Sequence, residues 1–323
     1  MGEFPIDLEP RLLRSFVAVG EELHFTRAAS RLFLTQQAVS RHISRLEEDL
    51  GVELVDRTSR KVELTEAGRR LLPAARELLA LHDRVVTTAR GRGRPLLVDV
   101  LGEGLTPALL VEEARRAAPG IEFLSRFSGG VGVSMTQLLG RQVDVAFGRS
   151  EGGRTSFDSR ALTRRLVRLE PLGLLVLEDH PLADAPSIPS GKLADTEIDI
   201  SAGSHSVPEW IDLAERFLQL VGAESSPPHE PAMGAGETAR HLRSHGRPIL
   251  AMTSSPEVAG AVLVPITNPV PLYPWAIMHH RDLDHPGLGR LHEAIDLAVG
   301  EWSWLERATD SWMPIADAGV FDL

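Results

Sequence analysis

The segment Thr35–Gly51, TQQAVSRHISRLEEDLG, has the pattern of a single amphipathic helix with well-defined ends. Apolar residues recur in it at intervals of four, three and four, which is the period of a helix packed on a core. Thr35 can cap the first turn through its hydroxyl, and Gly51 suits the left-handed residue that follows a helix. The opposite face is not the usual mixture of Glu and Lys. It carries Gln36, Gln37, Ser40, Arg41 and Arg45.

The residues before this segment complete a helix-turn-helix pattern. The sequence predicts one helix over Leu8–Leu23 and a short second helix within HFTRAASRLFL, with Thr26 as its cap. Leu34 and Thr35 then form the turn into the third helix. The small side chains of Ala28 and Ala29 allow two helices to approach closely, as this motif requires.

A two-stranded hairpin, or wing, is predicted after the third helix, because VELVDRTSRKVELT alternates apolar and polar residues on both sides of the tip DRTSRK. A helix that enters the major groove of DNA uses Gln for adenine and Arg for guanine, with further arginines on phosphates. An ordinary solvated helix face is the alternative. The short helix, the tight turn and the basic wing favour DNA. The basic residues of this region are Arg27, Arg31, Arg41, Arg45, Arg57, Arg60 and Lys61.

The net charge of −11 is unfavourable for a DNA-binding protein, because DNA affinity depends on Lys and Arg. The acidic residues are concentrated in the second part of the chain, however. Residues 1–93 hold 15 basic and 14 acidic residues, whereas residues 94–323 hold 19 and 31. A near-neutral N-terminal region can still present a local basic face.

A long helix is predicted from Thr65 to Gly91, with Thr65 as its cap. Leu64, Leu71, Leu78 and Val85 recur every seven residues, which is the pattern of a coiled-coil seam. We expect this helix to associate with a second copy of the chain. Packing on its own chain is the alternative, and Pro73 is expected to weaken the helix.

Residues beyond the linker GRGRP, 91–95, alternate between strand-like and helical runs. Strands are predicted for LLVDVL, IEFLSRF and VDVAFG, and helices for LTPALLVEEARRA and VSMTQLLGRQ. Further strands are predicted at 172–177, 198–201, 248–252 and 274–278, and further helices near 208–221, 236–244 and 287–299. This pattern predicts an α/β fold in which helices cover a parallel sheet.

Residues 8–93 resemble the N-terminal part of LysR-type transcriptional regulators. The resemblance is carried by LLRSFVAVGEELHFTRAASRLFLTQQAVSRHISRLEEDLGVELVDRTSRKVELTEAGRRLL, which spans the first helix, the helix-turn-helix, the wing and the start of the linker helix. It implies a cytoplasmic homodimer or homotetramer, assembled through linker helices, that binds an interrupted palindrome in double-stranded DNA near a promoter.

The resemblance also implies roles for single residues. Base or nearby phosphate contacts are implied for Gln36, Gln37, Ser40 and Arg41, and backbone contacts for Thr35, Arg45, Arg57 and Arg60. Gln37 stands where such regulators commonly carry proline, so the sequence preference is expected to differ while the docking mode is retained.

The implied organisation has four parts. They are a winged helix-turn-helix domain over 1–65, a linker helix over 66–93, an effector-binding domain over 94–305 and a tail over 306–323. The effector domain resembles a periplasmic binding protein, with subdomain I at 94–169 and 271–305, subdomain II at 170–270 and a cleft for a small molecule between them. VDVAFGR and EDHPLA carry this part of the resemblance, while GRPILAMTSSPE replaces the family's G-x-G-I-x-x-L-P pattern.

Several residues are candidates for effector binding. The loop FSGGVGVS, 127–134, is expected to line the cleft. The family often carries there a hydroxyl residue that binds an effector carboxylate; the matching residue in this chain is Val131 or a neighbouring glycine, with Ser128 as a candidate substitute. A phosphate-binding loop is disfavoured because the spacing is not G-x-G-x-x-G and no Walker-type Lys follows. Each of the other candidates can equally be a helix cap or a solvated side chain. They are Glu103, Thr106, Arg149, Ser201 and Ser204.

Other functional classes find little support. The group His279, His280, Asp282, Asp284 and His285 suggests a metal site, but HHRDLDHPG is more typical of an exposed loop. We expect neither a cofactor nor an enzyme, because G-x-S-x-G and H-E-x-x-H motifs are absent. The lack of cysteine fits the cytoplasm but also fits other places. No long uncharged apolar run is present and MGEFPIDLEP lacks the layout of a secretory signal, so nothing directs the chain into or across a membrane.

Two alternatives remain open at this level. One is a small-molecule-binding or enzymatic α/β protein whose N-terminal helices only dimerise. It explains the acidic second part but not the amides and arginines beside the wing. The other retains DNA binding and lacks an effector.

Overall fold

The computed structural model describes residues 8–58, 61–89, 93–151, 157–203, 207–229, 232 and 234–321. The chain divides into two compact units, each with its own hydrophobic core. One unit comprises Met1–Arg94 with Gly140–Gln142, and the other comprises Pro95–Leu139 with Val143–Leu323. Within the described part of the chain, no helix is long and apolar enough to span a lipid bilayer.

The first unit is a winged helix-turn-helix followed by a long helix. Its elements are α1 (Pro10–Glu22), α2 (Phe25–Arg31), α3 (Gln36–Leu50), β1 (Val55–Thr58), β2 (Lys61–Leu64) and α4 (Glu66–Ala89). The two strands pair antiparallel, with Val55 opposite Leu64. The predicted helix-turn-helix and hairpin are therefore confirmed, and α4 is continuous through Pro73.

Most helix ends follow the sequence prediction. The Thr35 hydroxyl accepts a hydrogen bond from Ala38 N at 3.2 Å, and Gly51 has a φ of +67°. The Thr65 hydroxyl caps α4 by accepting from Gly68 N at 3.0 Å. For α2 the cap was predicted to be Thr26, but the ring of His24 accepts the bond from Thr26 N at 3.1 Å. Histidine was overlooked because hydroxyl and carboxylate residues dominate this position.

The second unit is an α/β domain. Its first half contains β3 (Leu96–Asp99), α5 (Thr106–Ala117), β4 (Phe123–Arg126), α6 (Val131–Leu139), β5 (Val145–Gly148) and β6 (Leu162–Leu177). Next come β7 (Ile188–Pro189), β8 (Glu197–Ile198), α7 (Pro208–Val221), β9 (Glu224–Ser225), α8 (Ala235–His245) and β10 (Ile249–Met252). The chain then continues through β11 (Ala261–Thr267), β12 (Val270–His280), α9 (Pro286–Trp302), β13 (Ser311–Trp312) and α10 (Ile315–Val320).

The main sheet of this unit is mixed, whereas the sequence predicted a parallel one. Its strands run in the order β4-β3-β5-β12-β6-β11-β7, with β10 on β6 and β13 on β12. β3 is parallel to β4 and β5, but β12 is antiparallel to both β5 and β6. The alternation of strands and helices is confirmed, and the long returning strands β6 and β12 account for the difference in direction.

The strand β6 belongs to two regions of the sheet. Residues 162–171 pair with β12, whereas residues 172–177 pair with β10 and β11. Only 172–177 was predicted as strand, because the preceding LTRRLVRLEP is rich in arginine. The predicted border between subdomains at 169/170 thus falls within one continuous strand.

Residues 306–323 were expected to form a tail, but the described part of this segment is integrated into the second unit. β13 pairs parallel with β12. Met313 packs with Leu169 and Leu272, and Asp317 is fully buried. The partners of Met313 and Asp317 are distant in sequence, so this anchoring has little signature in the segment itself.

Candidate nucleic-acid interface and ligand cavity

The third helix, α3, separates its two faces as the sequence predicted. Val39, Ile43 and Leu46 have no exposed surface and fill the core between α1 and α3. On the other side, Thr35, Gln36, Gln37, Arg41 and Arg45 are exposed and Ser40 is half-buried. Thr26 Oγ1 of α2 donates to Gln36 Oε1 at 3.2 Å and so ties the first turn of α3 to the preceding helix.

Glu47 connects α3 to the wing. Its Oε1 accepts hydrogen bonds from Leu54 N at 2.9 Å and from Val55 N at 3.1 Å, where β1 begins. On the inner side of α3, His42 Nδ1 lies 2.7 Å from Ser15 Oγ of α1. Neither role could be predicted from the sequence, because a polar side chain on an amphipathic helix carries no sign of a partner distant in sequence.

The basic surface of the first unit is smaller than its arginine content implies. Arg31 forms a 2.6 Å ion pair with Glu21, and Arg27 forms a 3.3 Å pair with Glu22. Arg45 lies 3.1 Å from Asp49. The side chain of Arg57 and the whole of Arg60 lie outside the described residues. Arg41 is exposed at the start of α3 beside the two glutamines.

The long helix α4 has two different halves. Its first half packs on the core of its own unit through Ala67, Leu71, Ala75 and Leu79, and Arg76 donates two hydrogen bonds to Glu21 of α1, at 2.7 and 3.0 Å. A Cβ at Gly68 would lie 2.1 Å from Leu54 O, so only glycine allows this close approach.

The second half of α4 exposes large apolar side chains. Leu78, Leu81 and Val85 are 43%, 52% and 60% exposed. Packing on its own chain is therefore confirmed for the first half of α4, and the second half leaves an apolar stripe on the surface.

The second unit contains a cavity of about 310 Å³. Its walls combine residues after β3 and β4 with residues of α8, β10 and the loop after β10. They are Leu101, Gly102, Glu103, Phe127, Leu175, Ala202, Gly203, Gly234, Ala235, Thr238, Ile249, Ala251, Ser255, Pro256 and Val258. Among the predicted effector residues, Glu103 lines this cavity.

Two other candidates, Thr106 and Arg149, are engaged in buried polar networks instead. Thr106 Oγ1 donates to Glu170 Oε2 at 2.8 Å, and Arg168 Nη1 donates to Thr106 Oγ1 at 2.7 Å. Glu170 is fully buried and also accepts from Trp275 Nε1 at 2.6 Å. Thr106 therefore helps to satisfy a buried carboxylate.

Arg149 is 1% exposed and is surrounded by acceptors. Its Nε donates to both carboxylate oxygens of Asp317 at 2.9 and 3.0 Å, and its Nη1 donates to Asp212 Oδ2 at 2.6 Å. Burial alone would lower the pKa of Arg149, but the charges of Asp317 and Asp212 raise it. This guanidinium binds α7 and α10 rather than facing the cavity.

The helix start at Val131 also has an internal partner. Glu209 Oε1 accepts a hydrogen bond from Val131 N at 2.8 Å, and a Cβ at Gly130 would lie 2.8 Å from Glu209 Oε2. The carboxylate of α7 thus occupies the position where the amino end of α6 would attract an anion. Burial raises the pKa of Glu209, although the bond from Val131 N opposes this.

The three serine candidates are dispersed. Ser128 Oγ donates to Gln137 Oε1 at 2.9 Å, and Ser201 N donates to Asp199 Oδ1 at 2.8 Å. Ser204 lies outside the described residues. The histidine-rich loop considered as a metal site has other roles in the fold, because His285 caps α9 and His280 pairs with Asp282 at 2.6 Å.

Comparisons with known proteins give a consistent result. The family model of bacterial regulatory helix-turn-helix proteins of the lysR family matches residues 10–69. The transcriptional regulator XapR of Escherichia coli is 32% identical over 221 residues, which are 66% of this chain and 71% of that protein. BudR of Raoultella terrigena is 31% identical over 196 residues, 58% of this chain and 66% of that protein.

The matches to BudR, to YnfL of Escherichia coli and to ShiR of Corynebacterium glutamicum span 60–66% of the lengths of those proteins, which is less than two thirds. The fold is similar to that of CbnR, a LysR family transcriptional regulator, with a TM-score of 0.63, 23% identity and coverage of 90% of this chain and 98% of that chain. Since a relative above 30% identity is covered over more than two thirds of its length, the chain belongs to the LysR family of bacterial helix-turn-helix proteins.

Proposed function

We propose that the chain is a sequence-specific DNA-binding transcriptional regulator in which α3 enters the major groove. The observation that carries this proposal is the first half of α3, where Gln36, Gln37 and Arg41 are exposed while the opposite face is buried. Gln and Arg are the side chains that pair with adenine and guanine edges in that groove. The regulators XapR and BudR support the same role.

The neighbouring residues supply positioning contacts. Phosphate contacts are assigned to Thr35 and Arg45, which flank the exposed face, and to Arg57 and Arg60 of the wing. Ser40 lies one turn after Gln36 and Gln37, and a base contact is assigned to it as well. Glu47 holds the wing against α3, so the two DNA-facing elements keep a fixed spacing. CbnR, whose fold this chain shares, has been solved with its target DNA.

The protein acts as a homodimer or homotetramer in this proposal. The stripe of Leu78, Leu81 and Val85 on α4 is apolar and exposed, as expected of a helix that pairs with a second copy. Two α3 helices in a symmetric dimer would read two half-sites of an interrupted palindrome. We place the protein in the cytoplasm, where its DNA is, and assign it no enzymatic activity.

A small molecule bound in the cavity is the proposed effector. The cavity is mostly apolar, and Ser255 Oγ is shielded from solvent without a hydrogen-bond partner among the described residues. Its described lining includes Glu103 but no Lys, Arg or His. Arg149 and the start of α6 are satisfied by internal carboxylates. An apolar molecule with a donor group or a positive charge fits better than an organic anion, so benzylamine should bind more tightly than benzoate.

Regulation would follow from a population shift. The cavity is bordered by residues after β3 and β4 on one side and by α8 and β10 on the other. A ligand that binds more tightly to one arrangement of these walls increases the population of that arrangement. Differential affinity for two arrangements is the physical requirement for such control. A DNA footprint that is unchanged by a ligand known to fill the cavity would contradict this part of the proposal.

Footprinting on the DNA that adjoins the gene tests the proposed function. We expect the purified chain to protect two half-sites on one face of the duplex, separated by about 10.5 base pairs or a multiple of that spacing. Absence of protection across the adjoining intergenic DNA would favour the alternative, an α/β small-molecule-binding protein whose N-terminal helices only dimerise.

A further inference from the structure

Three polar side chains from separate segments of the second unit converge on one point. Asp199 follows β8, His229 lies between β9 and α8, and His241 lies within α8. His229 Nε2 is 2.8 Å and His241 Nε2 is 2.7 Å from the same atom, Asp199 Oδ2. These residues, here called the Asp–His–His cluster, contribute ligand atoms that all lie within 4.8 Å of one another.

The carboxylate of Asp199 is held in a fixed orientation. The side chain is 2% exposed, and its other oxygen, Oδ1, accepts hydrogen bonds from Ser201 N at 2.8 Å and Ala202 N at 3.0 Å. The carboxylate therefore directs its remaining oxygen, Oδ2, at the two imidazoles.

The Asp199 side chain is buried against two imidazoles. Within the described part of the chain, the cationic groups that the structure places against Asp199 are the two histidines. The cluster is either a hydrogen-bonded network or a site for a cation. Two imidazoles and one carboxylate are a donor set that transition metal ions take.

The spacing allows a metal ion to take the place of the two hydrogen bonds. Ligand atoms about 2.1 Å from one ion lie about 3.0 Å apart when they are at right angles, as in the two-histidine, one-carboxylate sites of transition metals. The observed separations of 2.8 and 2.7 Å from Oδ2 are a few tenths of an ångström shorter. The His229 side chain is 27% exposed, so water can reach positions on the ion that the protein leaves open.

We propose that Asp199, His229 and His241 form a binding site for one first-row divalent transition metal ion, of which Zn²⁺ is the probe. Each imidazole would bind through Nε2, and the proton on that nitrogen would pass to solvent. The ion would link α8 to the segment after β8. Both segments also reach the cavity, through Thr238 and Ala202. The proposal does not depend on DNA binding.

The test is isothermal titration of the full chain with ZnCl₂ after treatment with EDTA and its removal. We expect the parent to bind one ion per chain. The affinity of His241→Ala and of His229→Gln for Zn²⁺ should be weaker by about 100-fold or more, since each variant removes one of three ligands. His292→Ala is the matched control, because His292 is a half-buried histidine of α9 outside the cluster. It should bind Zn²⁺ as the parent does.

Two further measurements, absorption of bound Co²⁺ and competition by Mg²⁺, test the site even if one variant is poorly folded. Co²⁺ should give a visible absorption band in the parent chain and in His292→Ala but not in His229→Gln. The variant His229→Gln is chosen because it changes a partly exposed residue outside regular structure. Mg²⁺ should not compete, because it prefers oxygen ligands. No saturable binding of Zn²⁺ or Co²⁺ to the parent, or equal binding to the cluster variants, would show that the cluster is a hydrogen-bonded network only.

Discussion

At the scale of single residues, the exposed face of α3 was predictable and the buried polar networks were not. Gln36, Gln37 and Arg41 could be placed because helical periodicity assigns each position of an amphipathic helix to a face. Arg149 was expected in the ligand cleft, yet it lies against Asp317, 168 positions further along the chain. A single sequence contains no signal that pairs residues over such a distance.

The buried carboxyl of Glu209 predicts a dependence of stability on pH. Its pKa is raised above the ordinary value of 4.5, mainly by burial. A carboxyl whose pKa is higher in the folded chain than in the unfolded chain takes up a proton on folding. Its contribution to the free energy of unfolding is therefore fully present below about pH 4.5 and is lost as the pH rises through the raised pKa.

Glu209→Gln removes this titration while retaining an acceptor for Val131 N. We expect the free energy of unfolding of the parent, minus that of the variant, to fall as the pH rises from about 4 to about 7. Urea denaturation at a series of pH values measures it. A difference that stays constant or increases over this range would show that the pKa of Glu209 is not raised.

At the scale of elements, the bounds and the directions of some strands differ from those predicted from the sequence. The first half of β6 was missed because three arginines interrupt its apolar pattern: Arg164, Arg165 and Arg168. In the structure Arg168 lies 3.4 Å from the buried Glu170, so its charge is accommodated within the sheet region. The apolar residues that recur every seven positions do lie on one helix, α4. Such a repeat occurs both in a coiled-coil seam and in a helix face that packs on the core of its own chain, and it does not distinguish the two.

The exposed half of α4 should control self-association. We expect Leu78→Ser combined with Val85→Ser to raise the dimer dissociation constant at least about 100-fold, because the change removes four apolar side chains from a symmetric interface. Sedimentation equilibrium measures the constant. The control Leu297→Ser changes an exposed leucine of α9, 64% exposed, and should leave it unchanged. If the double variant dimerises like the parent, the stripe on α4 is not the interface.

At the scale of the whole molecule, the sequence predicted two differently charged parts, and the structure has two compact units. The helix-turn-helix could be identified because its signals are local: caps, a tight turn and one helical period. The cavity and the Asp–His–His cluster could not, since their residues come from distant segments. Asp199 is 30 positions from His229 and 42 from His241. His285 and His280, which lie close together in sequence, serve instead as a helix cap and in an ion pair.

The most direct test of the central claim, that α3 faces bases, is the affinity of α3 variants for the protected DNA. Fluorescence anisotropy with the footprinted site should show that Gln36→Ala and Arg41→Ala each weaken binding by about 5- to 150-fold at constant salt, the range expected for loss of one base contact. Arg70→Ala, which changes an exposed arginine of α4 paired with Glu66, should stay within about twofold of the parent. Equal affinity of all four proteins would contradict the account, because α3 would then not face bases.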